Sequence, residues 1–140
     1  MMYLLDTDTL TYLYAGHARV VSQLQKAGTP NVATTIITKI EVLRGRMDAV
    51  IKVNDVSQLL HAQQLFMRSE QLLEEMIVVP LDQLAAAVFQ RLDQAQALRK
   101  VGRADLLIAS ITLANRATLV TRNRRHFEKV PGLQIINWVD

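Results

Sequence analysis

Apolar and polar positions along the chain fall into short blocks that switch between strand-like and helix-like spacing. Tyr3-Leu4-Leu5 is a brief apolar run stopped by Asp6, the pattern of a buried strand. Thr7 to Tyr14 then reads as a helix, and Val20 to Ala27 as another, closed by Gly28 and Pro30. Val32 to Thr35 is a second strand, rich in β-branched residues. After it, Ile36, Ile40, Leu43 and Met47 recur on one side of a helix, which predicts that this stripe is the buried one. Asp55 to Glu75 is a long, polar-rich helical stretch that can pair with its neighbour as a hairpin. Its apolar residues between Val56 and Met76 read as ordinary core or, alternatively, as a face for a partner chain. Ile77 to Val79, before Pro80, is the third strand. Leu84, Val88, Leu92 and Ala95 mark a helix running toward Lys100, and Gly102 breaks it. Arg103 to Arg116 is apolar nearly all round, so it should lie buried between layers. Thr118 to Thr121 is the fourth strand, Pro131-Gly132 a turn, and Leu133 to Trp138 the fifth strand.

Strands that alternate with helices throughout predict an α/β sandwich around a mostly parallel sheet of about five strands. No repeat, low-complexity segment or linker divides residues 1–140, so a single domain is expected. In such sheets, sites lie just beyond the carboxyl ends of the strands. Asp6 stands there on the first strand and Asn123 on the fourth.

Composition narrows the chemistry. There is no cysteine, which excludes a disulfide framework and thiolate catalysis. Met1 to Leu5 is too short and uncharged for a secretory signal, and no apolar run reaches membrane-spanning length, so a soluble, cytoplasmic protein is expected. The net charge of +3 is small, but its distribution is uneven. Arg99, Lys100, Arg103, Arg116, Arg122, Arg124, Arg125 and Lys129 share the last third with only two nearby acids, Asp105 and Glu128. A basic stretch of this kind suits a polyanion, and equally a solvated surface. Aromatic residues make up only 5%, so a grip on nucleic acid would rest on charge more than on base stacking.

Three acids stand out against that background. Asp6 ends a buried strand, where a carboxylate is costly unless a cation or hydrogen-bond donors meet it; capping the next helix would also account for it. Glu41 flanks the predicted apolar stripe of its helix. An ordinary surface pair with Arg44 is one explanation. Gly45, one turn on, fits that poorly, because glycine inside a helix costs about 1 kcal/mol relative to alanine; it leaves room for a ligand or a neighbouring helix. Asp105 opens the apolar helix, where the helix dipole favours an acid in any case. Asn123 is either a turn residue or, with Thr121, a hydrogen-bonding partner for water or a carboxylate. Taken together, three acids and an amide at one edge form a hard oxygen set that suits Mg²⁺ or Mn²⁺. The histidines, His17, His61 and His126, are scattered and do not make a zinc site; His126, among arginines, is placed to touch phosphate.

These segments, in their order, resemble a known family. Tyr3-Leu4-Leu5-Asp6-Thr7-Asp8 is similar to the opening of PIN domains, Ile40-Glu41-Val42-Leu43-Arg44-Gly45 to their second motif, and Gly102-Arg103-Ala104-Asp105-Leu106-Leu107-Ile108-Ala109 to their third. Leu119-Val120-Thr121-Arg122-Asn123, His126-Phe127, Pro131-Gly132-Leu133 and Asn137-Trp138 resemble the close of VapC-type toxins. The likeness spans almost the whole chain. It implies a three-layer α/β/α PIN-like sandwich and an Mg²⁺- or Mn²⁺-dependent endoribonuclease. Asp6, Glu41 and Asp105 would be its metal-binding acids, with Asn123 at the fourth, often amide, position of the catalytic set. Asp8 departs from the family, in which asparagine or serine is common. The resemblance further implies a homodimer and a small VapB-like antitoxin partner. Hydrolysis by water would leave a 5′-phosphate and a 3′-hydroxyl. Arg44, Arg103, Arg122, Arg124 and Arg125 would hold RNA phosphates. Two other readings stand beside this one. The first is a catalytically weak PIN-fold scaffold or RNA-binding protein. The second is a haloacid-dehalogenase-like phosphatase built on Asp6-Thr7-Asp8, which lacks the downstream lysine and paired acids that chemistry needs.

Overall fold

A computed structural model describes all residues 1–140. Five strands, β1 (Tyr3–Leu5), β2 (Val32–Thr35), β3 (Ile77–Val79), β4 (Thr118–Val120) and β5 (Gln134–Ile136), form one sheet in the order β3-β2-β1-β4-β5. Every pairing is parallel. From β1 the chain steps outward to β2 and β3, then returns to place β4 and β5 on the other side of β1. The order therefore reverses between β1 and β4, and a crevice opens at their carboxyl ends.

Side chains alternate across the sheet, as the strand period requires. Leu4, Ala33, Val79 and Leu119 face one layer, packed with α5 (Gln83–Gln94) and α6 (Arg103–Ala114) through Ala85, Leu92, Ile108 and Ile111. Leu5, Val32 and Val120 face the other, where α1 (Thr7–Tyr14), α2 (Ala18–Ala27), α3 (Ile36–Lys52) and α4 (Val56–Glu74) contribute Leu10, Val20, Val42 and Leu73. The result is the expected three-layer α/β/α sandwich, with an entirely parallel sheet. No helix is long and apolar enough to cross a membrane.

Two expectations are corrected here. The stripe Ile36, Ile40, Leu43 and Met47 is buried only in part: Ile36 and Leu43 pack against the core, Ile40 and Met47 are about half exposed, and the most buried residues of α3 are Thr38 and Val42. Likewise α4 does hairpin against α3, but Val56, Leu60 and Met67 lie on the surface, and Ala62, Ser69 and Leu73 make its core contacts. Both helices mix small or polar residues with apolar ones on their packed faces and also carry large apolar residues outside. Helix ends also shift. α5 stops at Gln94, and a 3₁₀ turn (Gln96–Leu98) brings Leu98 into the core. β4 and β5 are shorter than their apolar runs. A short helix, α7 (Arg124–Phe127), lies within the basic segment.

Candidate active site

Asp6 follows β1 directly. Its backbone N–H donates to Val120 O of β4 (3.1 Å), so the residue is held between the two central strands. Its carboxylate caps α1, accepting from the Thr9 N–H at 2.9 Å, while the Thr9 hydroxyl donates back to Val120 O. The helix-cap reading of Asp6 is thus seen directly, and the cap bond accounts for one of its carboxylate oxygens. Only 7% of Asp6 is exposed. Burial pushes its pKa above the ordinary carboxyl value. Hydrogen bonds from the Thr121 side chain and from Thr9 pull it back down, and the nearby charge of Asp8 pushes it further up. Asp8 itself is exposed on the first turn of α1.

Glu41 lies on α3 and is tied to the residue after Asp6, since the Thr7 hydroxyl donates to Glu41 Oε1 at 2.6 Å. The same hydroxyl is 3.3 Å from that of buried Thr38. The anticipated Glu41–Arg44 ion pair does not form; the salt bridges of the chain are Arg122–Asp140 and His126–Asp105. Gly45 faces open space, with nothing within 4 Å of where its Cβ would be. Gly45 lines, with Thr7, Glu41 and Arg46, a depression of about 240 Å³, and no neighbouring helix approaches closely enough to require the glycine.

Asp105 is at the mouth of α6, partly exposed. Its Oδ2 lies 3.3 Å from Nδ1 of His126, and that Nδ1 is 2.9 Å from the Asn123 amide nitrogen. The Asn123 backbone N–H donates to Thr121 Oγ1 at 2.9 Å, and Thr121 is fully buried. The sequence-predicted residues are thereby linked in one line around the crevice: Glu41 through Thr7 to the Asp6 turn, and Asp105 through His126, Asn123 and Thr121 back to Asp6. Their side chains do not converge as a closed group of three ligands. The fit to a hard divalent cation rests on the donors: oxygen ligands, one of them buried and disfavoured as an anion, with no lysine or arginine paired to any of the three acids.

The basic residues divide into two groups. The Arg122 guanidinium is engaged by Asp140 (3.2 and 3.3 Å) and by the Tyr12 hydroxyl (2.8 Å). Arg103 lies over the Phe89 ring, 5.1 Å from its centroid. Arg44, Arg124 and Arg125 make no ion pair. Sequence reasoning missed the parts played by Thr7, Tyr12 and Asp140, and gave His126 only a phosphate contact. The spacing of His126 three residues after Asn123 was the available signal.

A fully parallel α/β sandwich whose strand order reverses beside Asp6 defines the open, doubly wound α/β class, in which ligands bind beyond the carboxyl ends of the strands. Within that class the chain belongs to the PIN domain family, whose model matches residues 3–133. Over 146 residues it is 26% identical to the ribonuclease VapC1 of Haemophilus influenzae, covering 99% of this chain and 98% of that one. A 38-residue stretch is 50% identical to the ribonuclease VapC2 of Rickettsia felis, which is 28% of that relative. Among solved structures, VapBC2 from Rickettsia felis bound to a DNA fragment from its promoter superposes with a TM-score of 0.77 at 25% identity, over 99% of both chains.

Proposed function

We propose that this chain is a divalent-metal-dependent endoribonuclease that acts as the toxin of a toxin–antitoxin pair. The observation that carries the reading is the buried Asp6 carboxylate at the β1–β4 reversal, which has hydrogen-bond donors but no cationic partner and is joined by hydrogen bonds to the elements bearing Glu41 and Asp105. Asp6, Glu41 and Asp105 would hold Mg²⁺ or Mn²⁺, and Asn123 completes the polar edge. Such a cation acidifies water and offsets charge on a phosphodiester. The protein's own part is positional. Asp6 is fixed by its cap bond, Glu41 by the Thr7 hydroxyl, and Asp105 by α6. Arg44, Arg103, Arg124 and Arg125 present cations for the backbone of a single-stranded or looped RNA. Arg122 can join them only by exchanging Asp140 for phosphate.

The named relatives are ribonucleases, and the structural neighbour is a toxin–antitoxin complex; both support a VapB-like antitoxin as partner. An apolar groove of about 450 Å³ between α1, α2 and α4, lined by Leu24, Pro30, Leu72 and Met76, is suited to a partner segment. Tyr14 lines both this groove and the depression beside Glu41. The surface apolar residues of α3 and α4 support a homodimer. The test is incubation of purified, antitoxin-free protein with single-stranded RNA, with Mn²⁺ and with chelator. Cleavage that requires the metal and leaves 5′-phosphate and 3′-hydroxyl ends is expected. Ends carrying a 2′,3′-cyclic phosphate would overturn the reading. Specific RNA binding without cleavage would favour the scaffold alternative.

A further inference from the structure

His126 has no part in the ligand set proposed above, yet it is the one side chain that touches both Asp105 and Asn123. Its Nδ1 lies 3.3 Å from Asp105 Oδ2. A bare ring nitrogen and a carboxylate oxygen are both acceptors and would repel at that distance, so Nδ1 carries its hydrogen and donates to Asp105. The Asn123 amide reaches the same nitrogen at 2.9 Å. Its oxygen and nitrogen are exchanged by a half-turn of the amide, so Asn123 can present its oxygen to the shared N–H. The ring is well anchored although it is 42% exposed. Phe127, the next residue, is buried in the core beside α6, and Asn123 immediately precedes the short α7 that carries both.

We propose that His126 is a positioning residue, whose Nδ1–H fixes the orientation of the Asp105 carboxylate for a divalent cation and couples it to Asn123 at the end of β4. The proposal rests on the metal-dependent reading of the site. Asp105 has no other hydrogen-bond partner among side chains and no cationic one. Without His126 its carboxylate would be free to rotate, and ordering it would oppose metal binding. Groups that orient ligands in this way typically change metal affinity or activity about 10–100-fold when removed.

The experiment is an Mn²⁺ titration of the full chain without RNA, followed by calorimetry and by the shift in melting temperature. It compares wild type, His126→Ala, His126→Asn, Asp105→Asn and the Asp105→Asn/His126→Ala double variant. His126→Ala should weaken Mn²⁺ binding about 10–100-fold. His126→Asn, which keeps an N–H donor near the same place, should recover part of the loss. The double variant should bind no worse than Asp105→Asn alone. At saturating Mn²⁺, KM for a single-stranded RNA should stay near the wild-type value. Wild-type Mn²⁺ affinity in His126→Ala would overturn the proposal. A raised KM with a shallower salt dependence in that case would make His126 a phosphate contact instead. If His126→Ala does not fold, His126→Phe, which keeps the ring volume without the N–H, takes its place: unimpaired Mn²⁺ binding there decides against the role. Absence of Mn²⁺ binding by the wild type would remove the metal reading and this proposal together; binding equal in wild type and variant would remove only the latter.

Discussion

Replacing Asp6 separates its two duties. Asparagine caps a helix about as well as aspartate, so Asp6→Asn keeps the acceptor for the Thr9 N–H while deleting the charge. Asp6→Ala deletes both. The folded pKa of Asp6 lies above its ordinary value of 3.8 because of burial. Stability owed to the neutral acid is therefore complete below that value and lost as pH rises through the folded pKa. At neutral pH the metal-free protein carries a buried anion at a cost, and Asp6→Asn should melt higher than wild type in chelator. That advantage should shrink as pH falls into the carboxyl range. Asp6→Ala gains from the same loss of charge but forfeits the cap, which is worth about 1 kcal/mol. With an unfolding entropy of about 2.1 cal/mol/K per residue, a chain of 140 residues loses about 3 °C per kcal/mol. Asp6→Ala should thus melt about 3 °C below Asp6→Asn. Mn²⁺ at about 100 times its Kd adds about 2.7 kcal/mol to a protein that binds it, or roughly 9 °C for the wild type, and far less for either variant. Scanning calorimetry between pH 4.5 and 8, with chelator and with Mn²⁺, measures all of this. The reasoning is refuted if Asp6→Asn melts as low as Asp6→Ala in chelator, or if Mn²⁺ raises wild type and Asp6→Asn equally.

Other consequences are more local. Thr7→Val removes the donor to Glu41 and should lower Mn²⁺-dependent RNA cleavage about 10–100-fold with little change in melting, read by kinetics beside calorimetry. Arg124→Ala and Arg125→Ala should each weaken RNA binding broadly across sequences and reduce the slope of log K against log salt by about 1, measured by fluorescence anisotropy. Asp140→Asn frees the Arg122 fork, so RNA affinity should rise or stay level and not fall. Tyr14 is half-buried and its pKa is pushed up to about 12, first by burial and then by the charge of Glu75. Its contribution to stability should be whole below pH 10 and lost as pH rises toward 12, and Tyr14→Phe should erase a phenolate absorbance step near pH 12.

Much of the fold was legible because local signals agreed. β1, α1, β2 and β3 begin and end where the sequence reading put them: a short apolar run stops at a residue able to cap, or a β-branched run meets a helix start. α3 was legible as a helix but only in part in its orientation. Hydrophobic spacing counts apolar positions, and it cannot tell a core face from a surface one when the most buried positions are Thr38 and Val42. α7 is four polar-rich residues, too short to show any period. At the site, Asp6 was legible as an acid at a strand end, and Glu41 and Asp105 as acids on the adjoining helices. Their connections were not, because the Thr7–Glu41 bond spans α1 and α3 and the Asp105–His126 contact spans α6 and α7. Contacts of that kind depend on how helices cross and leave no spacing in the sequence. Helical spacing left a Glu41–Arg44 surface pair open as an alternative, and the structure gives Glu41 to Thr7 instead.

The central claim is that one acidic edge both binds the metal and cuts RNA. The most direct measurement is cleavage of a panel of 5′-labelled single-stranded RNAs by wild type and by Asp105→Asn, each shown to be folded, with Mn²⁺ and with chelator. The account predicts cleavage by the wild type that stops in chelator and is lost in Asp105→Asn. Undiminished cleavage by folded Asp105→Asn, or cleavage that persists in chelator, would contradict it.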